Sequence, residues 1–416
     1  MDIQRVTCYI KKRIKRIFGP GLVTGASDDD PSGIATYSQA GTLFGLSTLW
    51  TAVFTFPLMA ALQEMCARIG LVTQKGLIGA IKPFYPKWLV LLIVTISFGA
   101  IVLNIGADLA GMGAVANMLF PSIPSPVFSV GIGVMLSYYI VVLPYAKISY
   151  YLKWLCLSLL CYLVVPFLVQ QDWNKVLRAA VVPEIMWTKE YLLIVIGILG
   201  TTISPYLFFW QTSMEVEEIE ERKLVVDKRI IHGMQKDIRT GIFLSNLVFF
   251  FIILSTGSVL HDLHIERIET VEEAAQALRP LAGDMSYLLF SIGIIGTGLL
   301  AVPVLAGSLS YMVSETMAWK EGLNKKFHEA KGFYLVMVAS ILTALCINFT
   351  GISAVNALVV TAIIYGLTAP LLIFIILRVS NNKKIMGEYT NGWLSNILGC
   401  TALIIMLAAA ILLLFV

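Results

Sequence analysis

Two apolar segments of this chain are interrupted at their middles by a hydrogen-bond acceptor followed by proline. One reads Gly25-Ala26-Ser27-Asp28-Asp29-Asp30-Pro31-Ser32-Gly33; the other reads Gly200-Thr201-Thr202-Ile203-Ser204-Pro205-Tyr206. Proline lacks an N–H and disfavours helix at the residue before it. Backbone groups released this way inside a bilayer find no water. Such breaks are tolerated only where they are buried in protein or line a cavity. In corresponding positions of two halves, interrupted segments point to a transport site near the bilayer midplane. The first break also carries three carboxylates, which points to a cation.

The rest of the chain fits a membrane setting. Of 416 residues, 58% are hydrophobic and 13% charged, with a mean hydropathy of +0.82. Soluble domains carry about 25% charged residues, so a large soluble domain is excluded. The basic run Lys11-Lys12-Arg13-Ile14-Lys15-Arg16 leads into the aspartate-bearing segment rather than into a short apolar core with a cleavage site, and is not read as a secretory leader. The six cysteines are scattered and form no Cys-x-x-Cys pair, so neither a zinc site nor a disulfide framework is expected.

Stretches able to span need about 20 apolar residues. Eleven are expected, at about 20–42, 45–69, 87–119, 126–144, 152–170, 190–214, 238–260, 284–312, 332–349, 353–378 and 393–416. With the N-terminus inside, 25 of the 30 Lys and Arg residues fall in inside loops. This is a strong positive-inside bias. Omitting the first, aspartate-bearing span would invert every later loop, so the charges support both that span and the count. The acidic loop 261–283 then lies outside. Residues 1–19 form a basic cytoplasmic N-terminus, and 20–416 a single transmembrane domain in the plasma (inner) membrane with its C-terminus outside. The broken spans are the first and sixth, so each opens a five-helix unit of opposite orientation. The units cover about 20–170 and about 190–378, and an extra helix covers about 393–416. The expected fold class is an all-α integral membrane protein with inverted five-helix repeats, similar to the layout of LeuT-type transporters.

In the first break, Asp30 is suited to cap the helix that begins at Pro31. The preceding half ends in free carbonyls near Ala26 to Asp28. Carbonyls plus a carboxylate make an oxygen site for a hard cation. Asp30 is expected to face the ion. Asp28, Asp29 and Asp30 would repel one another unless a cation or water shares them, so one of Asp28 and Asp29 is expected to reach a hydrated ion or face a vestibule. Gly33 and Ser32 leave room. In the second break, Ser204 and Pro205 repeat the cap-and-proline device, and Thr201 and Thr202 offer carbonyls.

No His lies inside an expected span, and no Cys or Met stands in either break. Oxygen ligands suit Mg, Ca and Mn, whereas soft ligands select other metals. Asp108, inside the third span, either lines an ion path, carries protons or hydrogen-bonds to neighbouring helices. Glu64 stands four residues before Arg68, the spacing of an intrahelical pair; an ion or proton path is the other reading. Asn104, Asn246 and Asn356 read as packing between helices. Glu215-Val216-Glu217-Glu218 reads as a solvated helix end or an acidic exit vestibule, and Glu315 as interfacial.

Gly19-Pro20-Gly21, Asp30-Pro31, Ala35-Thr36 and Gln39-Ala40-Gly41 resemble the first helix of the Nramp (natural resistance-associated macrophage protein) family of divalent-metal transporters. Gln63-Glu64, Ala67-Arg68-Ile69-Gly70 and Val72-Thr73 fit its second helix. Ala107-Asp108-Leu109-Ala110 resembles its third, and Gly200 to Pro205 its sixth. The departures are informative. The family motif Asp-Pro-Gly-Asn is here Asp30-Pro31-Ser32-Gly33, so the aspartate ligand carries over and the asparagine ligand is Gly33. The motif Met-Pro-His is here Ser204-Pro205-Tyr206, which removes a sulfur ligand and the histidine implicated in proton traffic. The acidic residue after Asp-Leu-Ala is Gly111. Together these changes resemble the Nramp-related magnesium transporter branch.

The resemblance implies import of Mg²⁺ and Mn²⁺ by alternating access, without obligatory proton coupling. The metal set is then Asp30, Ser204, Thr201, Gly33, Asp28 and Asp29, with Asp108, Tyr206 and Glu64 as candidates along an ion or proton path. The partners are divalent ions and the lipid bilayer. No cofactor, nucleic acid or obligate protein partner is expected. A proton-coupled Mn²⁺ or Fe²⁺ transporter is the alternative. An amino-acid or amine transporter of the same architecture is disfavoured by Asp30, which would repel a substrate carboxylate. An enzyme is disfavoured because the spans hold no His and no Gly-x-Ser-x-Gly or His-Glu-x-x-His motif.

Overall fold

The computed structural model describes residues 19–143, 157–169, 171–261, 268–349, 351–412 and 415, and every regular element among them is helical. The principal helices are α1 (Pro20–Asp28), α2 (Pro31–Phe44), α3 (Trp50–Thr73), α4 (Lys87–Leu119), α5 (Ser125–Val142), α6 (Lys189–Thr202), α7 (Pro205–Arg222), α8 (Lys228–Val259), α9 (Ser286–Met317), α10 (Lys331–Ala344), α11 (Ala354–Ser380) and α12 (Trp393–Leu412). Among the described residues, eight helical stretches are long and apolar enough to cross a membrane, α6 and α7 together forming one of them. Shorter apolar helices at Leu159–Leu168 and Lys331–Ala344, with the α1–α2 pair, occupy the remaining three expected spans. Residues 152–156 and 170 of the expected fifth span lie outside the described residues.

Both breaks fall where the prolines put them, and they share one backbone path. Asp29 has φ −80°, ψ 55° and Asp30 φ −70°, ψ 171°; Ile203 has φ −109°, ψ 54° and Ser204 φ −70°, ψ 125°. In each case one residue leaves the helix, the next is extended, and proline opens the second half-helix. Steric exclusion of the helical region before proline accounts for this, and fixed φ suits proline to the first helical position. The dihedral match between residues 29–30 and 203–204 supports the repeat correspondence that position alone suggested.

Helix boundaries differ where hydropathy loses its signal. α8 begins ten residues before the expected 238 and carries His232 on its exposed first turns, and α7 runs on to Arg222. These turns carry charged residues while remaining helical.

Close backbone crossings fix the first half of each broken helix. α1 packs on α8, and α6 on α11. A Cβ at Gly25 would lie 2.3 Å from the Gly241 carbonyl oxygen, and one at Gly200 would lie 2.0 Å from that of Ala362. Only glycine permits these approaches. The first turn of α1 is tied down further by Asp237 on α8, which accepts the Gly21 amide at 2.7 Å.

Candidate ion site

Asp30 is buried and acts as the N-cap of α2. Its Oδ1 accepts from the Gly33 amide at 2.7 Å and from the Ser32 hydroxyl at 2.7 Å. Its Oδ2 accepts from Asn104 Nδ2 of α4 at 2.9 Å. These partners are neutral, and no basic side chain among the described residues pairs with Asp30. Asn104, read from sequence as packing between helices, is instead a direct partner of the central carboxylate. It lies one helical turn before Asp108 on the same helix face, which is the signal that would have found it. Its Oδ1 is 3.0 Å from the Thr361 hydroxyl of α11, which also lies 2.8 Å from the Leu358 carbonyl.

The neighbouring aspartates turn to another partner. The Ser245 hydroxyl of α8 is 2.7 Å from Asp28 Oδ2 and 3.3 Å from Asp29 Oδ1, and Asp28 Oδ1 is buried with no hydrogen-bond partner among the described residues. A single hydroxyl therefore stands between two buried carboxylates. The carbonyls at the end of α1 are not all free, because the Tyr206 hydroxyl donates to Ser27 O at 2.8 Å. Gly33 faces the gap. A Cβ built on it would sit 3.4 Å from the Asp28 carbonyl oxygen and 3.5 Å from Asp30 Oδ1.

On the second break the structure corrects one expectation. Ser204 occupies the N-cap position of α7, yet its hydroxyl makes no capping bond. It folds back to the Gly200 carbonyl at 3.1 Å and to the Thr201 carbonyl. The Thr201 hydroxyl lies 3.0 Å from Ile198 O and 3.2 Å from the Tyr37 hydroxyl, and Thr202 also donates to Ile198 O. Serine hydroxyls readily return to carbonyls three or four residues back in a helix, and this local bond competes with capping.

Three tyrosines close the site. Tyr37, Tyr206 and Tyr365 are buried, and all three lie in the field of Asp30. The Tyr206 and Tyr365 ring centroids are 5.8 Å apart. The Tyr365 hydroxyl has no hydrogen-bond partner among the described residues. Sequence reasoning passed over Tyr37, Tyr365, Ser245 and Thr361. A hydroxyl in an apolar span is a weak signal until its neighbours are known.

Asp108 is fully buried, its carboxylate has no close hydrogen-bond partner among the described residues, and Asp30 and the backbone amide of Ser32 on α2 are the groups that act on it. Glu64 lies elsewhere: its partner is Arg239 of α8 at 2.5 Å, with Gln235 at 3.2 Å, rather than Arg68. Arg68 bonds instead to Asn391. Packing between α3 and α8 brings Arg239 closer than the intrahelical spacing does.

The expected solvated end of α7 is also corrected. Glu215 and Glu217 are buried; Glu215 accepts from Gln211 at 2.8 Å, and Glu217 accepts the Leu323 amide at 2.5 Å and the Tyr311 hydroxyl. Glu315, expected at the interface, accepts the Gly79 amide at 2.7 Å. Glu217, Glu315 and Glu321, with Tyr311, line a cavity of about 340 Å³. Burial and the nearby Glu315 push the Glu321 carboxyl up to about 9.

Around the first break, Asp28 Oδ1, both Asp108 carboxylate oxygens and the Tyr365 hydroxyl have no close hydrogen-bond partner among the described residues. Among the described residues no group of three or more His, Cys, Asp or Glu side chains forms a metal cage. What remains is one centrally held carboxylate with peptide and hydroxyl oxygens, a set that suits a hard cation still carrying water.

Two helices broken at matching positions, opening inverted five-helix repeats around a buried acidic break, define a membrane transporter of the LeuT architecture. Residues 21–416 match the family model described as natural resistance-associated macrophage protein-like, and the chain belongs to the Nramp family. Among its relatives is a protein named divalent metal cation transporter MntH from Caldanaerobacter subterraneus subsp. tengcongensis, 24% identical over 93% of this chain and 90% of the relative. Another protein of that name, from Granulibacter bethesdensis, is 23% identical over 90% of this chain and 82% of the relative. Among solved structures, the Eremococcus coleocola manganese transporter in complex with an aromatic bis-isothiourea substituted compound superposes with a TM-score of 0.77. It covers 98% of this chain and 87% of that one at 18% identity. The fold is also similar to that of Mhp1, a nucleobase-cation-symport-1 family transporter, in a closed conformation, with a TM-score of 0.58 over 95% of this chain and 92% of that one at 11% identity.

Proposed function

We propose that this chain imports divalent cations, Mg²⁺ and Mn²⁺, across the plasma (inner) membrane by alternating access and without obligatory proton coupling. The observation that carries the reading is the chemistry of the two breaks. Asp30 is the carboxylate held at the junction of the first break, Gly33 and Ser204 stand where the family motifs carry asparagine and methionine, and neither break holds a sulfur or imidazole side chain. Relatives named divalent metal cation transporters support the class of cargo. Loss of the sulfur ligand and retention of space favour an ion that dehydrates reluctantly, which is Mg²⁺.

In this reading Asp30 receives the ion, the Asp28 and Thr201 carbonyls and the Ser204 hydroxyl contact it or its water shell, and Asp28 and Asp29 contribute negative field. Asp108 and Tyr206 flank the path. Glu64, engaged with Arg239, holds α3 to α8 rather than carrying the ion. The N-terminus is cytoplasmic and the C-terminus outside, within one transporter domain over 20–416. The inside-negative potential contributes about 2.3 kcal/mol per charge per 100 mV, and about twice that for a divalent ion, so accumulation needs no proton.

The experiment is flux into proteoliposomes of purified protein, reading metal and internal pH together for Mg²⁺, Mn²⁺ and Ca²⁺. Uptake of Mg²⁺ driven by a K⁺ diffusion potential, without internal acidification, is the expected result. Mn²⁺ uptake that acidifies the lumen, with no Mg²⁺ uptake, would replace it with proton-coupled transport.

A further inference from the structure

The central carboxylate is almost saturated by the protein. An ionised carboxylate offers about four acceptor positions. At Asp30, Oδ1 fills two with Ser32 Oγ and the Gly33 amide, and Oδ2 fills one with Asn104 Nδ2. Behind the amide, the Thr361 hydroxyl shares its one proton between Asn104 Oδ1 at 3.0 Å and the Leu358 carbonyl at 2.8 Å, and Asn104 and Thr361 are both buried. The assignment of the amide follows from the carboxylate, which can only accept. Two features follow. The Ser32 amide bears on the same carboxylate, so Asp30 has at most one open position, on Oδ2. Its charge is also shared with four donors before an ion arrives.

We propose that Asn104, braced by Thr361, is a specificity-determining positioning residue: it occupies one side of Asp30 Oδ2 and leaves the carboxylate no more than one open position toward the ion. The inference rests on the reading of Asp30 as the carboxylate that meets the ion. A carboxylate limited in this way is a weak-field partner. It accepts a hydrogen bond from a bound water of the ion, or one direct contact, and cannot chelate through both oxygens. Ca²⁺ takes six to eight oxygen ligands, often with bidentate carboxylates, whereas Mg²⁺ keeps several waters. The arrangement therefore works against ions that readily exchange water for carboxylate. Without Asn104, Oδ2 regains a position and a larger share of charge, and the gain goes to Ca²⁺ and Mn²⁺ more than to Mg²⁺.

The test is competition in the same proteoliposomes. Asn104→Leu keeps the number and branching of heavy atoms, with a bulkier side chain, and removes both polar atoms. Ca²⁺ is expected to inhibit uptake about tenfold more potently, relative to the KM of the transported ion, as expected for loss of one hydrogen bond to a charged group. Thr361→Val, which removes one hydroxyl and keeps the shape, is expected to shift the same ratio in the same direction by about threefold. It carries the test if Asn104→Leu does not fold. If wild-type protein proves to carry Mn²⁺ and not Mg²⁺, the magnesium reading fails, and the ratio is read on Mn²⁺ instead. A ratio within about twofold of wild type in the folded variants overturns the inference. A loss of maximal rate with KM and the Ca²⁺ ratio unchanged also overturns it, because that is the signature of a merely structural asparagine.

Discussion

Replacing Gly33 by alanine is the most direct probe of whether the ion travels wet. A Cβ at this position meets Tyr37 Cε2 at 3.3 Å, the Asp28 carbonyl oxygen at 3.4 Å and Asp30 Oδ1 at 3.5 Å. The methyl group therefore fits after a shift of a few tenths of an ångström by the Tyr37 ring. It occupies the gap between two oxygens proposed to face the ion. A water claims about 30 Å³ in the liquid, close to the size of a methyl group, so the substitution removes the place of one water. A hydrogen bond to a charged group contributes about 1.5–3 kcal/mol. The KM for Mg²⁺ is then expected to rise about 10- to 100-fold, and that for Mn²⁺, which releases water more easily, by less. Folding should not suffer. Gly33 lies in the first turn of α2 with ordinary helical backbone, and alanine is favoured over glycine in helices by about 1 kcal/mol. Concentration-dependent flux of both ions, with a melting curve on the same sample, measures the effect. An unchanged Mg²⁺ KM in a stably folded Gly33→Ala protein would refute the idea that this gap holds the ion's water.

Three other outcomes follow from the geometry. Ser204→Met combined with Gly33→Asn restores a sulfur and an amide at the two breaks and releases the Thr201 carbonyl from the Ser204 hydroxyl; Cd²⁺ and Mn²⁺ should compete better against Mg²⁺, and unchanged Cd²⁺ competition would count against the ligand shell. Gly25→Ala places a methyl 2.3 Å from the Gly241 carbonyl oxygen and should cost at least about 1–3 kcal/mol of stability by overpacking, read as a lowered melting temperature; a melting temperature equal to wild type would show that α1 and α8 can separate freely. Glu321 has its carboxyl pushed up to about 9, by burial first and Glu315 second, so between the ordinary glutamate range and about 9 the folded protein binds more protons than the unfolded chain and stability falls as pH rises. Glu321→Gln should remove that slope, giving its largest gain in melting temperature at the alkaline end of the window, and a pH-independent difference would be the contrary result.

The sequence by itself determined where the two long helices part and what stands at each parting. Proline acts on the residue before it through steric contact, so Asp30 and Ser204 were bound to be extended whatever surrounded them, and the bilayer left helix as the way to satisfy the flanking backbone. Charge asymmetry between loops pointed to an odd number of crossings for a similarly simple reason, the cost of moving basic residues across a membrane. Tertiary structure decided which groups meet. Asn104 rather than a second aspartate bonds Asp30, Arg239 rather than Arg68 pairs with Glu64, Ser245 lies between Asp28 and Asp29, and the Ser204 hydroxyl turns back on its own helix. These helices are apolar on most faces, so periodicity does not announce which side will face a neighbour. Rotation and depth are set by close crossings at Gly25 and Gly200, and a partner tens or hundreds of residues away is chosen only when those crossings form.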